Sequence, residues 1–518
     1  LQHLLGLKQR PERLVHVLNE YLEHESDSVR YWTTRLYASH TLAQPERLAA
    51  IAEGDASPLV REMATAGLDE RRDRVDFGFF RRLWETDKAP PVRAQALGAA
   101  VLKQAAVAAQ DSVIEMMKES EAIARHAVAM RIDRMPESLQ LHIVRVLAKD
   151  PVSSVRAALA AAIGRAAAPA LLPFLLELGT DSIPDVRRRT ALSLQYFPVP
   201  HSREALIELL TDPVALVREA SELSLAELHS SLDVTDVAAP LLTAALPAGT
   251  RLNVYRLLGR ISAGAYAQTI REAMLREKRT DVIGGAVHAL GQLDADFAAV
   301  DIATFAASND PALRRLVADA LGLLAVPSTY DALVKLADDD SEDVRQHALL
   351  AIARIGDGRA FSDAVINTLL TVRGEKSSVK NRAAACWAAA HLRPLSRNLE
   401  NRLFKHGTTA VIPVPMSPPV FDDDVVLSSV AFAFAHIARR DPSLRSHAEK
   451  IFEMHRFDPP PEILEQLPES ATVFTDAVKE YARQAKAYLN DETISPAPMP
   501  TRPVRLQYGP LSEPKALP

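Results

Sequence analysis

A short motif recurs about every 31 residues along most of this chain of 518 residues. One copy reads Asp310-Pro-Ala-Leu-Arg-Arg-Leu-Val-Ala-Asp-Ala-Leu-Gly322. Units of roughly 20–50 residues that recur at a fixed step are typical of solenoids, in which each unit packs on its neighbours. The period therefore predicts an architecture, but it does not identify a substrate or a partner.

The copies align on one basic residue that follows valine or leucine, and Arg125 and Arg251 fit the same register with weaker flanks. Steps between neighbouring copies are 31 to 33 residues, and the last step is 35 residues. Ile283 occupies the basic position in one copy, and a degenerate copy without the arginine follows at residues 422–438. The basic positions are Arg30, Arg61, Arg93, Arg125, Arg156, Arg187, Arg218, Arg251, Arg314, Arg345 and Lys380.

Each unit is predicted to contain two helices. The second helix begins at the motif, where Asp150, Asp212 and Asp310 each precede a proline. Aspartate is a good N-cap, and proline is tolerated in the first turn. The first helix is amphipathic, as in residues 136–148, with apolar residues at helical spacing. Short loops make successive helices antiparallel neighbours, so we expect an all-α fold of about 13 helix pairs.

Composition and charge disfavour a nucleic-acid-binding role and a membrane span. The formal net charge is −6, whereas a nucleic-acid-binding domain is usually basic. No run of 18 apolar residues occurs, so no membrane span is predicted. The single cysteine, Cys386, lies in an alanine-rich helical stretch and is predicted to be a buried structural residue. The chain begins with Leu1 rather than Met, so a cytoplasmic location is only slightly favoured and an exported form stays open.

The motif Asp-x-x-x-x-Val-Arg-x-x-Ala-x-x-Ala-Leu-Gly resembles the HEAT-type repeat, in the short form known from phycobilin lyases. The resemblance covers about residues 11–390. It implies a HEAT-like α-solenoid, a right-handed superhelix of antiparallel helix pairs whose second helices line a concave face. It also implies a scaffold, adaptor or regulatory role. Deoxyhypusine hydroxylases of this class carry repeated His-Glu pairs, whereas this chain has one, at His24-Glu25.

Four regions are predicted along the chain. Residues 1–392 are expected to form the solenoid, and residues 393–462 a degenerate repeat interrupted by a Pro-rich insertion at 407–420. Residues 463–490 read as capping helices, and residues 491–518 as an extended Pro-rich tail. The insertion is interpreted either as a binding edge or as a surface loop without a role. The tail either docks onto another chain or is disordered in isolation.

The repeated arginine is interpreted as structural. An arginine at one fixed position, with an aspartate about five residues earlier, suits a hydrogen-bonded ladder that runs from repeat to repeat. We therefore expect Arg187, Arg218 and Arg345 to stabilise the fold rather than to bind a partner.

Other residues are better candidates for contact with a partner. If they bind an anionic partner, its affinity should fall steeply with salt; the alternative is that they are ordinary solvated surface. The candidates are Arg81, Arg82, Arg188, Arg189, Arg315 and Tyr508.

No motif for catalysis, metal or cofactor binding occurs. The sequence lacks His-Glu-x-x-His, Cys-x-x-Cys, a phosphate-binding glycine loop and a Gly-x-Ser-x-Gly elbow. We therefore expect a non-catalytic scaffold or adaptor that binds other protein subunits through its concave face, insertion and tail, and no cofactor. Two alternatives stay open: a cofactor-handling subunit similar to the lyases, and a nucleic-acid-binding HEAT-like protein.

Overall fold

The computed structural model is helical wherever it describes regular structure, apart from an isolated bridge between Asp357 and Arg393. The chain divides into two compact units, Leu1–Pro240 and Leu241–Pro518, called here the first and second units. The all-α solenoid prediction is confirmed, because each unit stacks helices side by side in two layers. The structure describes residues 13–104, 117, 120–235, 246–371, 378–408, 423–456 and 476–490.

The described part of the first unit contains thirteen α-helices. They are α1 (Arg13–Tyr21), α2 (Asp27–Ala38), α3 (Pro45–Gly54), α4 (Pro58–Asp69), α5 (Phe77–Thr86), α6 (Pro90–Gln104), α7 (Ala122–Ala129), α8 (Glu137–Leu147), α9 (Ser153–Ala166), α10 (Leu172–Leu178), α11 (Pro184–Leu194), α12 (Pro200–Leu209) and α13 (Ala215–Leu228).

The described part of the second unit also contains thirteen. They are α14 (Ala248–Arg260), α15 (Ala267–Arg276), α16 (Thr280–Gln292), α17 (Ala299–Thr304), α18 (Pro311–Leu324), α19 (Tyr330–Leu336), α20 (Glu342–Ile355), α21 (Gly358–Leu370), α22 (Val379–His391), α23 (Arg397–Thr408), α24 (Asp424–Arg440), α25 (Arg445–His455) and α26 (Asp476–Asn490).

The helices lie in two layers. The second helices of successive repeats pack directly on each other, as α9 packs on α11 and α16 packs on α18. The first helices form the other layer and cover the apolar side of the second ones. Leu159 of α9 and Leu175 of α10 are both fully buried, and burying such a side chain contributes about 1.5–3 kcal/mol. We call these the first and second layers.

The regions predicted at the C-terminal end are partly described. Gly407 and Thr408 end helix α23, so the insertion does not begin at residue 407. The remainder of the insertion, residues 463–475 and the tail from residue 491 lie outside the described residues. Cys386 is buried in α22, as predicted.

The predicted aspartate N-caps are correct in one case and wrong in two. The Asp310 side chain accepts the Ala312 N–H at 2.9 Å and caps α18. Helices α9 and α13 begin three residues after Asp150 and Asp212, so neither aspartate is a cap. They accept an N–H of the loop instead and are held by an arginine of the preceding repeat.

The repeated arginine joins each repeat to the next one. Arg187 donates from Nε and Nη2 to the two oxygens of Asp212 at 2.6 and 3.0 Å, and from Nη1 to the carbonyl of Asp181 at 2.7 Å. The carbonyl of Asp212 accepts in turn from Arg218 at 2.8 Å. Such planar, charge-assisted pairs are the strong form of the hydrogen bond. The same carboxylate link joins Arg30–Asp55, Arg61–Asp87, Arg93–Glu121, Arg125–Asp150, Arg156–Asp181, Arg251–Glu277 and Arg314–Asp339.

Arg345 extends the ladder with an amide in place of a carboxylate. Its Nη1 donates to the carbonyls of Asp339 and Asp340. Its Nε donates at 2.5 Å to the side-chain oxygen of Asn381, with the amide assigned in the orientation that satisfies both groups. A structural role is therefore confirmed for Arg187 and Arg345, and Arg218 holds the loop carbonyls of Asp212 and Pro213.

The alignment on Lys380 is wrong by two residues. In every repeat the ladder residue donates its N–H to the carbonyl of the N-cap, as Arg345 does to Ser341. In α22 the residue that does this is Arg382, whose N–H bonds the Ser378 carbonyl at 3.1 Å. Arg382 is buried and Lys380 is exposed. The pair Val379-Lys380 matches the Val-Arg pattern of the other copies, so the sequence alone indicated the wrong residue.

The links also fix the charge of the aspartates. Burial alone would raise the pKa of Asp181, but hydrogen bonds from Arg156 and from the Ile183 N–H bring it below its ordinary value. Asp55, Asp87 and Asp339 are shifted in the same direction for the same reasons. A lowered folded-state pKa adds stability above the unfolded value of about 3.9, and that stability is lost as the pH falls below it.

A second link in the first unit spans two repeats. Asp69, at the end of α4, accepts from Arg131 Nε and from Arg134 Nη1, both at 3.1 Å. Burial lowers the pKa of Arg131, and the charge of Asp69 opposes that shift. The guanidinium group of Arg131 lies over Gly98 of α6, where a Cβ would come within 2.6 Å of Nη1. Gly98 therefore makes the close approach possible.

We expect Arg187→Ala to lower the free energy of unfolding by about 2–4 kcal/mol, because it leaves the buried carboxylate of Asp212 without its cation. Urea unfolding followed by circular dichroism measures this. The neighbouring Arg188→Ala is the matched control. Arg188 forms an ion pair with the exposed Asp185 at 3.5 Å, so a loss below about 0.5 kcal/mol is expected. Equal stability of the two variants would contradict the structural role.

A glycine pair tests the second link. Gly98→Ala should destabilise the chain by about 1–3 kcal/mol, because the new methyl group displaces Arg131 from Asp69. A Cβ at Gly54, which ends α3, meets nothing within 4 Å. Gly54→Ala should therefore raise stability slightly, by up to about 1 kcal/mol. Thermal unfolding of both variants distinguishes these outcomes, and a stabilising Gly98→Ala would refute the account.

Candidate binding site on the second-layer face

Two of the predicted arginines lie on the first layer. Arg81 and Arg82 belong to α5, and their side chains are 61% and 63% exposed. Arg81 pairs with Glu85 at 2.7 Å, and Arg82 contacts Glu53 at 3.3 Å. Both interactions are exposed, so they add little to stability.

The other predicted residues are dispersed. Arg188 and Arg189 lie on the second layer of the first unit and contact Asp185 at 3.5 and 3.9 Å. Arg315 lies on α18 in the second unit, and Tyr508 lies outside the described residues. Within the first unit, the pair Arg81 and Arg82 and the pair Arg188 and Arg189 thus lie on different layers. Arg315 of the second unit lies close to the cavity described next.

A cavity of about 320 Å³ opens among the second-layer helices α14, α16, α18 and α20. Its wall combines charged, polar and apolar side chains. The lining side chains are Arg260, Ser262, His288, Gln292, Asp294, Asp319, Leu323 and Arg354. We call it the Arg354 cavity.

The cavity follows from the repeat register. We number positions from the ladder residue of each second helix. His288 and Asp319 stand five residues after it, and Gln292 and Arg354 stand nine residues after it. Residues four apart lie on one face of a helix. Ladder links that hold adjacent helices in register therefore bring equivalent positions of successive repeats into one row.

Two glycines let the helices approach at this point. A Cβ at Gly259 would lie 2.8 Å from the Cα of Ala289, and a Cβ at Gly291 would lie 3.0 Å from the Cα of Ala320. Both glycines line the cavity. Close backbone packing beneath the cavity thus follows from small residues at the contact.

Asp319 is the charged centre of the cavity. One of its carboxylate oxygens lies 2.6 Å from Nδ1 of the buried His347. Burial lowers the pKa of His288 to about 4; Asp319 opposes this, and Arg256, Arg260 and Arg315 reinforce it. His288 is therefore neutral at pH 7.

Two buried polar atoms in the cavity lack a partner among the described residues. They are Nε of Arg354 and Oε1 of Gln292. Burial lowers the pKa of Arg354, and the charge of Asp319 opposes that shift. A buried polar atom without a hydrogen bond costs about 1–3 kcal/mol. Such atoms in a cavity are typical of a site that another molecule completes.

An aromatic cluster occupies the same two positions farther along the second unit. Trp387 and Phe432 stand at position five of α22 and α24, and His391 and His436 at position nine. Ring centroids are 4.5 Å apart for Trp387 and His391, and 4.3 Å apart for Phe432 and His436.

Helix α26 adds Tyr488 to this aromatic cluster. Its ring centroid lies 4.9 Å from that of His436, and the guanidinium of Arg439 lies 4.2 Å from its ring centre. Aromatic rings and arginine are enriched where proteins bind each other. Sequence reasoning missed this cluster and the Arg354 cavity, although positions five and nine of the aligned repeats carried the signal.

The described residues contain neither a metal cluster nor a membrane-spanning helix. No group of three His, Cys, Asp or Glu side chains there is arranged to hold a metal ion. Among the helices described, none has the length and apolar character that a membrane crossing requires.

The comparisons with known proteins agree with the fold. A family model for HEAT repeats matches residues 141–226 and 302–390. The second stretch contains three residues of the Arg354 cavity: Asp319, Leu323 and Arg354. The chain therefore contains HEAT repeats in these two stretches, although nothing supports the finer resemblance to phycobilin-lyase-type repeats. No curated protein sequence matches it.

Solved structures of karyopherins share the solenoid fold. Kap95p, from a study of its binding to RanGDP, aligns with 93% of this chain and 66% of its own, with 12% identity and a TM-score of 0.56. Kap121p bound to Pho4p, and Kap121p bound to the extreme C-terminus of the phosphatase Cdc14p, each show 14% identity and a TM-score of 0.51. Each of these two aligns with 93% of this chain, which spans 57% of Kap121p.

The histidines of this face predict a pH effect. Burial, reinforced by His391, Arg440 and Arg439, lowers the pKa of His436 to about 4. Unfolded histidine has a pKa near 6.5, so the unfolded chain takes up the proton first as the pH falls. The contribution of His436 is therefore complete above about pH 6.5 and is lost between there and about pH 4.

His436→Gln should make stability less dependent on pH. Between pH 7 and pH 5 the variant should lose about 1–2 kcal/mol less free energy of unfolding than the parent chain. Urea unfolding at several pH values measures this. His201→Gln, at an exposed histidine of α12, controls for the loss of a titratable group. The same pH profile for the parent and His436→Gln would rule out the effect.

Proposed function

We propose that this chain is a non-catalytic scaffold that binds a partner protein on the second-layer face of its second unit. The observation that carries the proposal is the Arg354 cavity, where buried polar atoms have no partner among the described residues. A folded chain keeps such atoms at a cost in stability, so their retention in a cavity is consistent with a bound partner.

The chemistry of the face supports a protein as the ligand. Arginine, tryptophan and tyrosine supply most of the binding energy in protein interfaces. The face offers Arg354 on α20, Trp387 on α22 and Tyr488 on α26, and α24 packs between the last two. In HEAT-type solenoids the second helices line the concave face, which suits an extended segment of a partner.

The solved neighbours support the same class of ligand. Kap121p has been crystallised with bound Pho4p and with the C-terminal end of Cdc14p, so this fold accommodates protein ligands. At 14% identity they share the fold with this chain. The Pro-rich insertion and the tail with Tyr508 are proposed as additional contacts for the partner.

Site-specific photo-cross-linking in the source cells tests the proposal. A photoreactive phenylalanine analogue placed at Leu323, in the Arg354 cavity, should give a discrete cross-linked band that contains a second protein. Phe297 is the matched control, because it is 54% exposed and lies on the first layer just before α17. The same analogue at Phe297 should not give that band.

The captured protein is then produced separately and mixed with this chain. Co-elution of the purified pair in size-exclusion chromatography is expected, and a variant with a bulky arginine at Leu323 should weaken it. Bands of equal intensity from Leu323 and Phe297, or no co-elution of the purified pair, would contradict binding on the second-layer face.

A further inference from the structure

We infer that the Arg354 cavity receives a carboxylate group from an extended peptide segment of the partner. This deepens the proposed function, on which it rests, by naming the chemistry that the cavity recognises. Three features of the cavity carry it: its charge, the unsatisfied nitrogen of Arg354 and the unsatisfied oxygen of Gln292.

The charge around the cavity favours an anion. Arg260 and Arg354 line it, and Arg256 and Arg315 lie close enough to lower the pKa of His288. The carboxylates in the wall are Asp294 and Asp319. The wall itself carries two guanidinium groups and two carboxylates, and Arg256 and Arg315 add positive charge beside the neutral His288. A monoanion therefore enters without overcoming net repulsion.

Arg354 supplies the directed contact. Its Nε is buried and has no hydrogen-bond partner among the described residues, and Asp319 is already engaged by His347. A carboxylate matches the planar fork of a guanidinium group with two parallel hydrogen bonds. The contact would be partly shielded from water, where a charge-assisted hydrogen bond is stronger than on an open surface.

Gln292 distinguishes a peptide from a simple anion. Its Oε1 is a buried acceptor without a donor among the described residues, and an inorganic anion offers it no N–H. A peptide supplies both requirements, since its carboxylate accepts from Arg354 and a backbone N–H donates to Gln292. Leu323 beside them gives an apolar contact for a neighbouring side chain.

The test uses short leucine-flanked peptides and ligand-observed NMR titration of the full chain. The first peptide carries a central glutamate and an amidated C-terminus. The second has no acidic side chain but keeps a free C-terminal carboxylate. The third has glutamine in place of glutamate and is amidated. We expect the third peptide not to bind; binding of the first or the second identifies the source of the carboxylate.

Two arginine variants locate the contact. Arg354→Met should weaken the binding of the carboxylate peptide about tenfold or more, which is the scale of one charge-assisted hydrogen bond. Arg276→Met is the matched control: it removes one positive charge from a side chain that is 79% exposed on first-layer helix α15. It should change the affinity less than about twofold, since exposed charges contribute little.

Further arms remove the remaining ambiguities. Circular dichroism tests whether Arg354→Met is folded. Arg354→Lys keeps the charge but loses the planar guanidinium group, so it should bind the peptide with intermediate affinity. Gln292→Leu should weaken the same peptide while leaving the net charge unchanged. The inference is overturned if neither carboxylate peptide binds, if the glutamine peptide binds equally well, or if Arg354→Met and Arg276→Met behave alike. A Leu323 cross-link that persists in that case leaves the proposed function standing.

Discussion

The link between an arginine of one repeat and an acidic residue of the next is the interaction on which the solenoid depends. Each aspartate of the link has two tasks. Asp212 accepts hydrogen bonds from the guanidinium group of Arg187 and from the N–H of Val214. The same carboxylate therefore binds the previous repeat and shapes the loop that precedes helix α13. The helices therefore pack with a fixed offset. That offset aligns positions five and nine, from which the Arg354 cavity and the aromatic cluster are built.

The repeat that carries Ile283 lacks the arginine of the link, and the helix there is packed differently. Ile283 replaces the arginine, and Thr280 of the same helix lies close enough to Asp310 of the next repeat to lower its pKa. Gly284 and Gly285 of the same helix allow Leu316 and Leu252 to come into close contact. Backbone proximity thus replaces the ion pair in α16. The Arg354 cavity lies at the other end of this helix, where His288 and Gln292 face the second-layer side.

The sequence predicted the features that repeat and missed those that do not. The period gave the layered helix pairs, and the spacing of Arg187 from Asp181 suggested the ladder. Asp150 and Asp212 were wrongly predicted to be N-caps. An arginine of the preceding repeat binds each of them, and a local sequence pattern cannot show such a contact. The Arg354 cavity was missed for a similar reason. Asp319 and His347 are 28 residues apart, and each stands at a variable position of the repeated motif.

The ladder also has a consequence for how a chain of this kind changes length. Each standard repeat brings one cation that reaches forward and one carboxylate that reaches backward, so both of its ends are compatible with any other standard repeat. Duplication or deletion of a whole repeat would leave every junction chemically complete. The repeat containing Ile283 has no arginine to bind the next repeat, so its duplication or deletion would not leave complete junctions. Its position in the chain is therefore fixed, and so is the spacing of Gln292, which belongs to it, from Arg354.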